Sequence, residues 1–290
     1  MACARVPPNV VARSAAMSAC ARAENRPRWR HALALLHPGA AQNVVAYSAA
    51  ISACGKADCW QHALALLAEI QCAGLLLDVV AYSAAISSCE TNAQWQQALE
   101  ILALMVREEL APNVVTCNAV ISACEKGRNA ELALGLLREM RGRDLKADEI
   151  SYNAAISACE KGEMASAALE LLREMQASAL VADVISYSAA IGACESGKEP
   201  EQALELLGEM MAQGLVPNMI TCNAAVGACA KCSHLGTAIR LLTSAEVSTL
   251  TPNAATYAAV LGACEAKDRP EQALRLLGRL SELRPLSERC

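Results

Sequence analysis

Asn118, Asn153 and Asn223 stand at the same point of a recurring segment as Ser14, Ser48, Ser83 and Ser188. The last residue of each of these segments is Asn or Asp: Asn43, Asp78, Asn113, Asp148, Asp183, Asn218 and Asn253. A serine hydroxyl donates and accepts, an amide offers one group of each kind, and a carboxylate only accepts. Two places per segment held to these side chains are suited to sorting hydrogen-bond partners. Bond-breaking chemistry lacks its parts. The chain has no His-x-Glu with paired cysteines, no phosphate loop and no nucleophile elbow.

Eight of the fifteen cysteines are also periodic. Cys20, Cys54, Cys89, Cys124, Cys159, Cys194, Cys229 and Cys264 recur at one point of the segment, as small hydrophobes do. Such a row is no disulfide framework and fits a reducing compartment. The run CAKC, Cys229 to Cys232 with His234 nearby, imitates half a zinc site. Without a second pair it is read as core filler, and neither metal nor cofactor is expected.

What positions these residues is the repeat itself. "NVVTCNAVISACEK" at Asn113 returns as "DEISYNAAISACEK" at Asp148, "DVISYSAAIGACES" at Asp183 and "NMITCNAAVGACAK" at Asn218. The units open at Val10, Val44, Val79, Val114, Glu149, Val184, Met219 and Ala254, one interval of 34 residues and six of 35. The expected organisation is a stub (1–9), eight repeats (10–43, 44–78, 79–113, 114–148, 149–183, 184–218, 219–253 and 254–288) and a tail (289–290). Such regularity favours one solenoid over two ordinary domains. The chain is 54% hydrophobic, has no Phe and only 3% aromatic residues, which favours helix over strand.

Positions are numbered from each repeat's opening residue. In the repeat from Val114, positions 4, 7, 8 and 11 (Cys117, Val120, Ile121, Cys124) fall on one helical arc. Positions 2, 5, 9 and 13 (Val115, Asn118, Ser122, Lys126) fall on the opposite, small and mostly polar arc. Gly127 breaks this helix, and "ELALGLLREM" forms a second one. Pro200 and Pro270 suit a first helical turn, and Pro8, Pro112, Pro217 and Pro252 lie between repeats. Ala63, Ala98, Ala133, Ala168, Ala203, Ala238 and Ala273 all hold position 20, where two helices approach closely. Tyr47, Tyr82, Tyr152, Tyr187 and Tyr257 share the buried stripe, and Trp60 and Trp95 open second helices and pack there. The carboxylates of "LELLREM" are read as solvated.

The longest uncharged stretch, Met210 to Ala230, contains Gln213, Gly214, Pro217, Asn218 and Asn223, which argues against a membrane span. No charged-then-apolar leader with a cleavage site opens the chain. The first repeat has a displaced, shortened second helix with Arg13 at position 4, and the last has no polar cap, as expected of a partial array.

A 35-residue helix pair with "V-x-T/S-Y-N/S" at its start, "A-L-x-L-L-x-E-M" in its second helix and "P-N/D" at its end resembles the pentatricopeptide repeat family, over Val10 to roughly Glu288. A tetratricopeptide array would show 34-residue units with an early Trp and a Gly-x-x-Tyr spacing, which are missing. The resemblance implies an all-α solenoid, a right-handed superhelix of stacked helix pairs, that reads single-stranded RNA one base per repeat. It assigns base choice to position 5 with the last residue: Ser14/Asn43, Ser48/Asp78, Ser83/Asn113, Asn118/Asp148, Asn153/Asp183, Ser188/Asn218 and Asn223/Asn253. In this family Ser with Asn selects adenine, Ser with Asp guanine, Asn with Asp uracil, and Asn with Asn cytosine or uracil. The implied target is A-G-A-U-U-A-(C/U), while Ala258 and Glu288 of the last repeat match no pair. Position 2 (Val11, Val45, Val80, Val115, Ile150, Ile185, Ile220) would wedge between bases.

The net charge of −5 counts against indiscriminate nucleic-acid binding. Position 13 supplies Arg22, Lys56, Lys126, Lys161 and Lys231 as a modest phosphate ladder, with Thr91, Ser196 and Ala266 as exceptions. The neighbouring Glu90, Glu125, Glu160, Glu195 and Glu265 partly offset it. The resemblance further implies a plastid or mitochondrial role in transcript processing, stability or translation, with no membrane and with protein partners supplying any catalysis. A protein-binding scaffold resembling a tetratricopeptide array is the alternative.

Overall fold

A computed structural model of the protein describes residues 15–17, 19, 29–36, 44–57, 59–74, 77–232, 234–247 and 254–282. The expected site residues Val11, Ser14, Arg22, Asn43 and Asn253 lie outside these. Two compact bodies divide the chain, Met1–Ala147 and Asp148–Cys290. The first holds α1 (Trp29–Leu35), α2 (Val44–Lys56), α3 (Trp60–Cys72), α4 (Val79–Thr91), α5 (Trp95–Arg107), α6 (Val114–Lys126) and α7 (Ala130–Gly142). The second holds α8 (Glu149–Lys161), α9 (Ala165–Ala177), α10 (Val184–Gly197), α11 (Pro200–Ala212), α12 (Met219–Lys231), α13 (Leu235–Val247), α14 (Ala254–Ala266) and α15 (Pro270–Glu282). No strand occurs among the described residues, and no described helix is long and apolar enough to cross a membrane.

Within each body the fold is a solenoid of stacked helix pairs. The even-numbered first helices pack on one another, each also packs on its own second helix, and each second helix meets the following first helix. Position 20 is what lets the pairs close up. Ala63, Ala98, Ala133, Ala168, Ala203 and Ala238 are wholly buried. In five described pairs the turn is a left-handed cap made without glycine, at Ala93, Arg128, Glu163, Lys198 and Asp268. The following amide closes on the position-11 cysteine carbonyl, as in Asn129 N–H to Cys124 O at 2.9 Å and Met164 N–H to Cys159 O at 2.9 Å.

Two expectations need correction. The first helices are not simply two-faced: Val120, Ile121 and Cys124 are buried, but so are Asn118 and Ala123. A first helix packed on a neighbouring first helix, its own second helix and the preceding second helix has little open surface left. Nor are the "LELLREM" carboxylates merely solvated. The position-4 tyrosines donate to them, Tyr152 to Glu174 at 3.1 Å and Tyr187 to Glu209 at 2.8 Å. Tyr47 likewise donates to Glu69 at 3.3 Å, while Tyr82, with Leu at the equivalent place, turns to Glu108 at 2.7 Å. A buried phenol needs an acceptor for its tip.

Cys117 stands where these tyrosines stand, and beside it lies a cavity of about 430 Å³ lined by α5 and α7, with Glu139 on its wall. Cys117→Tyr is expected to fill that space and donate to Glu139, raising stability by about 1–2 kcal/mol. Denaturant titration reads the change; a loss of stability would mean the walls cannot admit a ring.

Candidate functional site

At five described repeat ends, Asp78, Asn113, Asp148, Asp183 and Asn218, the terminal Asn or Asp has a structural task that its sequence position did not announce. It is the N-cap of the next repeat's first helix. Asp78 accepts from Ala81 N–H at 2.8 Å, Asn113 from Thr116 N–H at 2.8 Å, and Asp148 from Ser151 N–H at 2.9 Å. Asp183 and Asn218 repeat this with Ser186 and Thr221, at 2.9 Å each. A short side chain with an oxygen at this reach makes a good cap, a group that includes Asn and Asp along with Ser and Thr. Capping also orients the residue. Asn113 and Asn218 spend Oδ1 on the cap, which leaves the amide NH2 as the outward group. Asp78 and Asp183 spend Oδ1 and keep the second carboxylate oxygen. One side chain thus presents a donor and the other an acceptor.

Position 5 lies beside this cap. Ser48 Oγ donates to Asp78 Oδ1 at 3.5 Å, and Asn153 Nδ2 to Asp183 Oδ1 at 3.4 Å. Ser83 reaches Asn113 and Ser188 reaches Asn218 only through an intermediary. Ser83 Oγ lies 2.8 Å from Thr116 Oγ1, which donates to Asn113 Oδ1 at 2.9 Å. Ser188 Oγ lies 2.6 Å from Thr221 Oγ1, which donates to Asn218 Oδ1 at 3.0 Å. The intermediary is position 3 of the following repeat. Ser186 donates to Asn153 Oδ1 at 2.5 Å, and Thr256 donates to Asn223 Oδ1. Sequence reasoning missed these hydroxyls. Their signal was the N-cap pattern Asn/Asp-x-x-Ser/Thr, which also yields capping boxes at Asp148/Ser151 and Asp183/Ser186. Asn118 belongs to the first body and is nearly buried, while Asp148 caps α8 in the second.

Position 2 projects outward next to these groups. Val45, Val80, Val115, Ile150, Ile185 and Ile220 are 56–66% exposed. Branched aliphatics are thus left in solvent at the same point of successive repeats, Val45, Val80 and Val115 in the first body and Ile150, Ile185 and Ile220 in the second.

The position-13 cations are not all available. Lys126 Nζ pairs with Glu90 at 3.1 Å and Lys231 Nζ with Glu195 at 3.0 Å, each carboxylate coming from the preceding repeat. Glycine at position 9 makes room for such a carboxylate in two repeats, whereas the Lys126 repeat has Ser122 there. A Cβ on Gly227 would strike Glu195, and one on Gly192 would strike Glu160. Lys56 is exposed, and Lys161 is half-buried. No group of three or more His, Cys, Asp or Glu able to hold a metal occurs among the described residues, and Cys229 of CAKC is buried.

Family comparison gives a consistent picture. The family described as "Pentatricopeptide repeat domain" matches residues 65–127, 170–232 and 205–267, more than half of the chain. The "PPR repeat family" matches 112–161, and "PPR repeat" matches 45–75 and 150–179. No curated protein sequence matches it. Among solved structures, the fold is similar to that of the maize pentatricopeptide repeat protein PPR10. PPR10 in complex with an 18-nt psaJ RNA element gives a TM-score of 0.60 at 18% identity, covering 97% of this chain and 46% of that one. The chain therefore spans about half the length of that protein. The PPR domain of Arabidopsis thaliana protein-only RNase P 1, in complex with tRNA, gives a TM-score of 0.50 at 19% identity, covering 58% of this chain and 89% of that one.

Proposed function

Because the chain belongs to the pentatricopeptide repeat family, we propose that it binds single-stranded RNA, one base per repeat, as a reader and not as a catalyst. The observation that carries this reading is the recurrence, at one point of each repeat, of an exposed aliphatic beside a cap-held Asn or Asp and a position-5 Ser or Asn. Val45, Val80, Val115, Ile150, Ile185 and Ile220 supply flat apolar surface between bases. Ser48/Asp78, Ser83/Asn113, Asn118/Asp148, Asn153/Asp183, Ser188/Asn218 and Asn223 with Asn253 choose among them; Ser14/Asn43 begins the row. The capped Asn offers its NH2 and the capped Asp its free oxygen, so the two terminal residues favour bases of opposite edge polarity. The resulting target is A-G-A-U-U-A-(C/U), in the processing, stability or translation of a plastid or mitochondrial transcript. The similar structures bound to RNA and tRNA support the ligand class.

Selection of bound sequences from a random RNA pool tests the reading. Enrichment of that heptamer sustains it; no enrichment, with retention of protein partners instead, hands the same face to a scaffold.

The ladder makes a separate expectation. With Lys126 and Lys231 already paired, Glu90→Gln and Glu195→Gln should each free one cation for a phosphate. Each should tighten RNA binding up to about fivefold, within the range of exposed ion pairs. Each should also steepen the plot of log K against log salt by about 0.7. Titrations at several salt concentrations read both quantities, and unchanged slopes would remove these lysines from the phosphate path.

A further inference from the structure

Resting on that reading of the base-selecting pair, we propose that the hydroxyl at position 3 of the following repeat is a third specificity-determining group, which fixes the atom that position 5 shows to the base. Four described repeats carry this contact: Thr116 on Ser83, Ser186 on Asn153, Thr221 on Ser188 and Thr256 on Asn223. The repeat from Val44 serves as an internal comparison. Its following position 3 is Ala81, and Ser48 there turns directly to Asp78 at 3.5 Å.

Proton counting at Ser186 gives the contact its meaning. A serine has one proton to donate. Two oxygen acceptors are in reach, Asn153 Oδ1 at 2.5 Å and Asp183 Oδ1 at 3.0 Å, with the weaker Met175 sulfur at 3.8 Å. Asp183 Oδ1 is already supplied by the amides of Ile185 and Ser186, both at 2.9 Å. The proton therefore goes to Asn153, and Ser186 in turn accepts from Asp183 N–H at 3.1 Å. With its carbonyl engaged, Asn153 keeps one amide orientation and turns its NH2 away from Ser186. An NH2 facing the Watson–Crick edge pairs with the O4 carbonyl of uracil and opposes the N4 amino group of cytosine. Without the hydroxyl, only the longer 3.4 Å contact from Asn153 Nδ2 to Asp183 Oδ1 holds the amide, which then turns over more readily and shows its carbonyl to cytosine. Ser186 is thus a positioning residue: it acts on the base through Asn153.

Serine repeats follow the same logic with different atoms. Ser83 lies 2.7 Å from the Val79 carbonyl and 2.8 Å from Thr116 Oγ1, which itself lies 2.9 Å from Asn113 Oδ1. Three contacts share two protons. Ser83 gives its proton to the Val79 carbonyl and so faces the base as an acceptor, and where Thr116 sends its proton decides how many of the Ser83 lone pairs stay open.

The experiment compares wild type, Ser186→Ala and Ser186→Thr on A-G-A-U-U-A-C and A-G-A-U-C-A-C. Wild type should favour uracil at the fifth base by about tenfold or more. Ser186→Thr keeps the hydroxyl and should keep that ratio. Ser186→Ala should shrink it at least threefold, with discrimination at the fourth base unchanged. A second readout needs no RNA: the 13Cγ resonance of Asn153 should shift in Ser186→Ala and stay in Ser186→Thr. Equal weakening on both RNAs, as loss of a cap contact alone would give, overturns the proposal. So does an unchanged ratio or an unmoved 13Cγ resonance. Wild type ranking the two RNAs equally would defeat the base-reading function and this inference with it, and the 13Cγ shift would then report the hydrogen bond alone.

Discussion

Asn153→Ser is expected to move the preference of one repeat from uracil to guanine and leave the others in place. The substitution turns the Asn153/Asp183 pair into the combination already present at Ser48/Asp78. The scaffold has little reason to respond, because Ser186, on losing its Asn153 acceptor, still has Asp183 Oδ1 in reach at 3.0 Å. Position 153 is half-buried, Ser stands at the same place in other repeats, and the cap from Asp183 to Ser186 N–H does not involve Asn153. What changes is the hydrogen-bonding group beside the base, from an amide to a hydroxyl. A matched base contact contributes about 1–3 kcal/mol of discrimination. The variant should therefore lose about tenfold or more on A-G-A-U-U-A-C and gain a similar factor on A-G-A-U-G-A-C. Mismatches at the other bases should cost the same as in wild type, because repeats act almost independently. Competition binding with the two heptamers gives the ratio directly. Identical ranking by both proteins would mean that position 5 does not touch a base, and the scaffold reading would move ahead.

The repeat could be read from the sequence because its core is spaced like its chain. Ala at position 20, Cys at position 11 and Pro200 at a first helical turn are each set by contacts within one helix pair. The spacing alone reports such contacts. What the sequence concealed lies between repeats. Ser83 meets Thr116 and Ser188 meets Thr221 thirty-three residues away, and Lys126 meets Glu90 thirty-six residues away. In a periodic chain every such pair looks like any other. The Asn/Asp alternation was ambiguous for a deeper reason: the residue that would read a base is also the one that caps a helix. Capping explains why a short oxygen-bearing side chain stands there and is silent on why Asp183 is acidic where Asn218 is neutral. That remaining choice is the part left for recognition.

Raising the pH should unfold the protein between about pH 9 and 11, through its row of buried thiols. Cys54, Cys89, Cys124, Cys159 and Cys194 are wholly buried. Burial raises the first four from 9.0 to about 11 and Cys194 to about 12. Burial also raises Cys229 and Cys264. In the unfolded chain these thiols ionise first, near pH 9, while the folded protein holds their protons. The unfolded state then binds fewer protons, so stability is level below that pH and falls as pH climbs toward the folded values. Each thiol contributes at most about 1.4 kcal/mol per pH unit. Five acting together over one unit approach the whole stability of an ordinary domain, about 5–15 kcal/mol. Tyr187, pushed up to about 12 by burial and by Glu209, works in the same direction. Thermal or urea unfolding followed from pH 7 to 11 should show a level region and then a steep loss. Cys124→Ala and Cys159→Ala should each lower overall stability slightly, by a small cavity, yet flatten the alkaline slope by about 1.4 kcal/mol per unit. A structural effect alone would shift the curve without changing its slope. If the alanine variants fall as steeply as wild type, the thiols are not the titrating groups and the alkaline limit lies with the surface lysines and tyrosines.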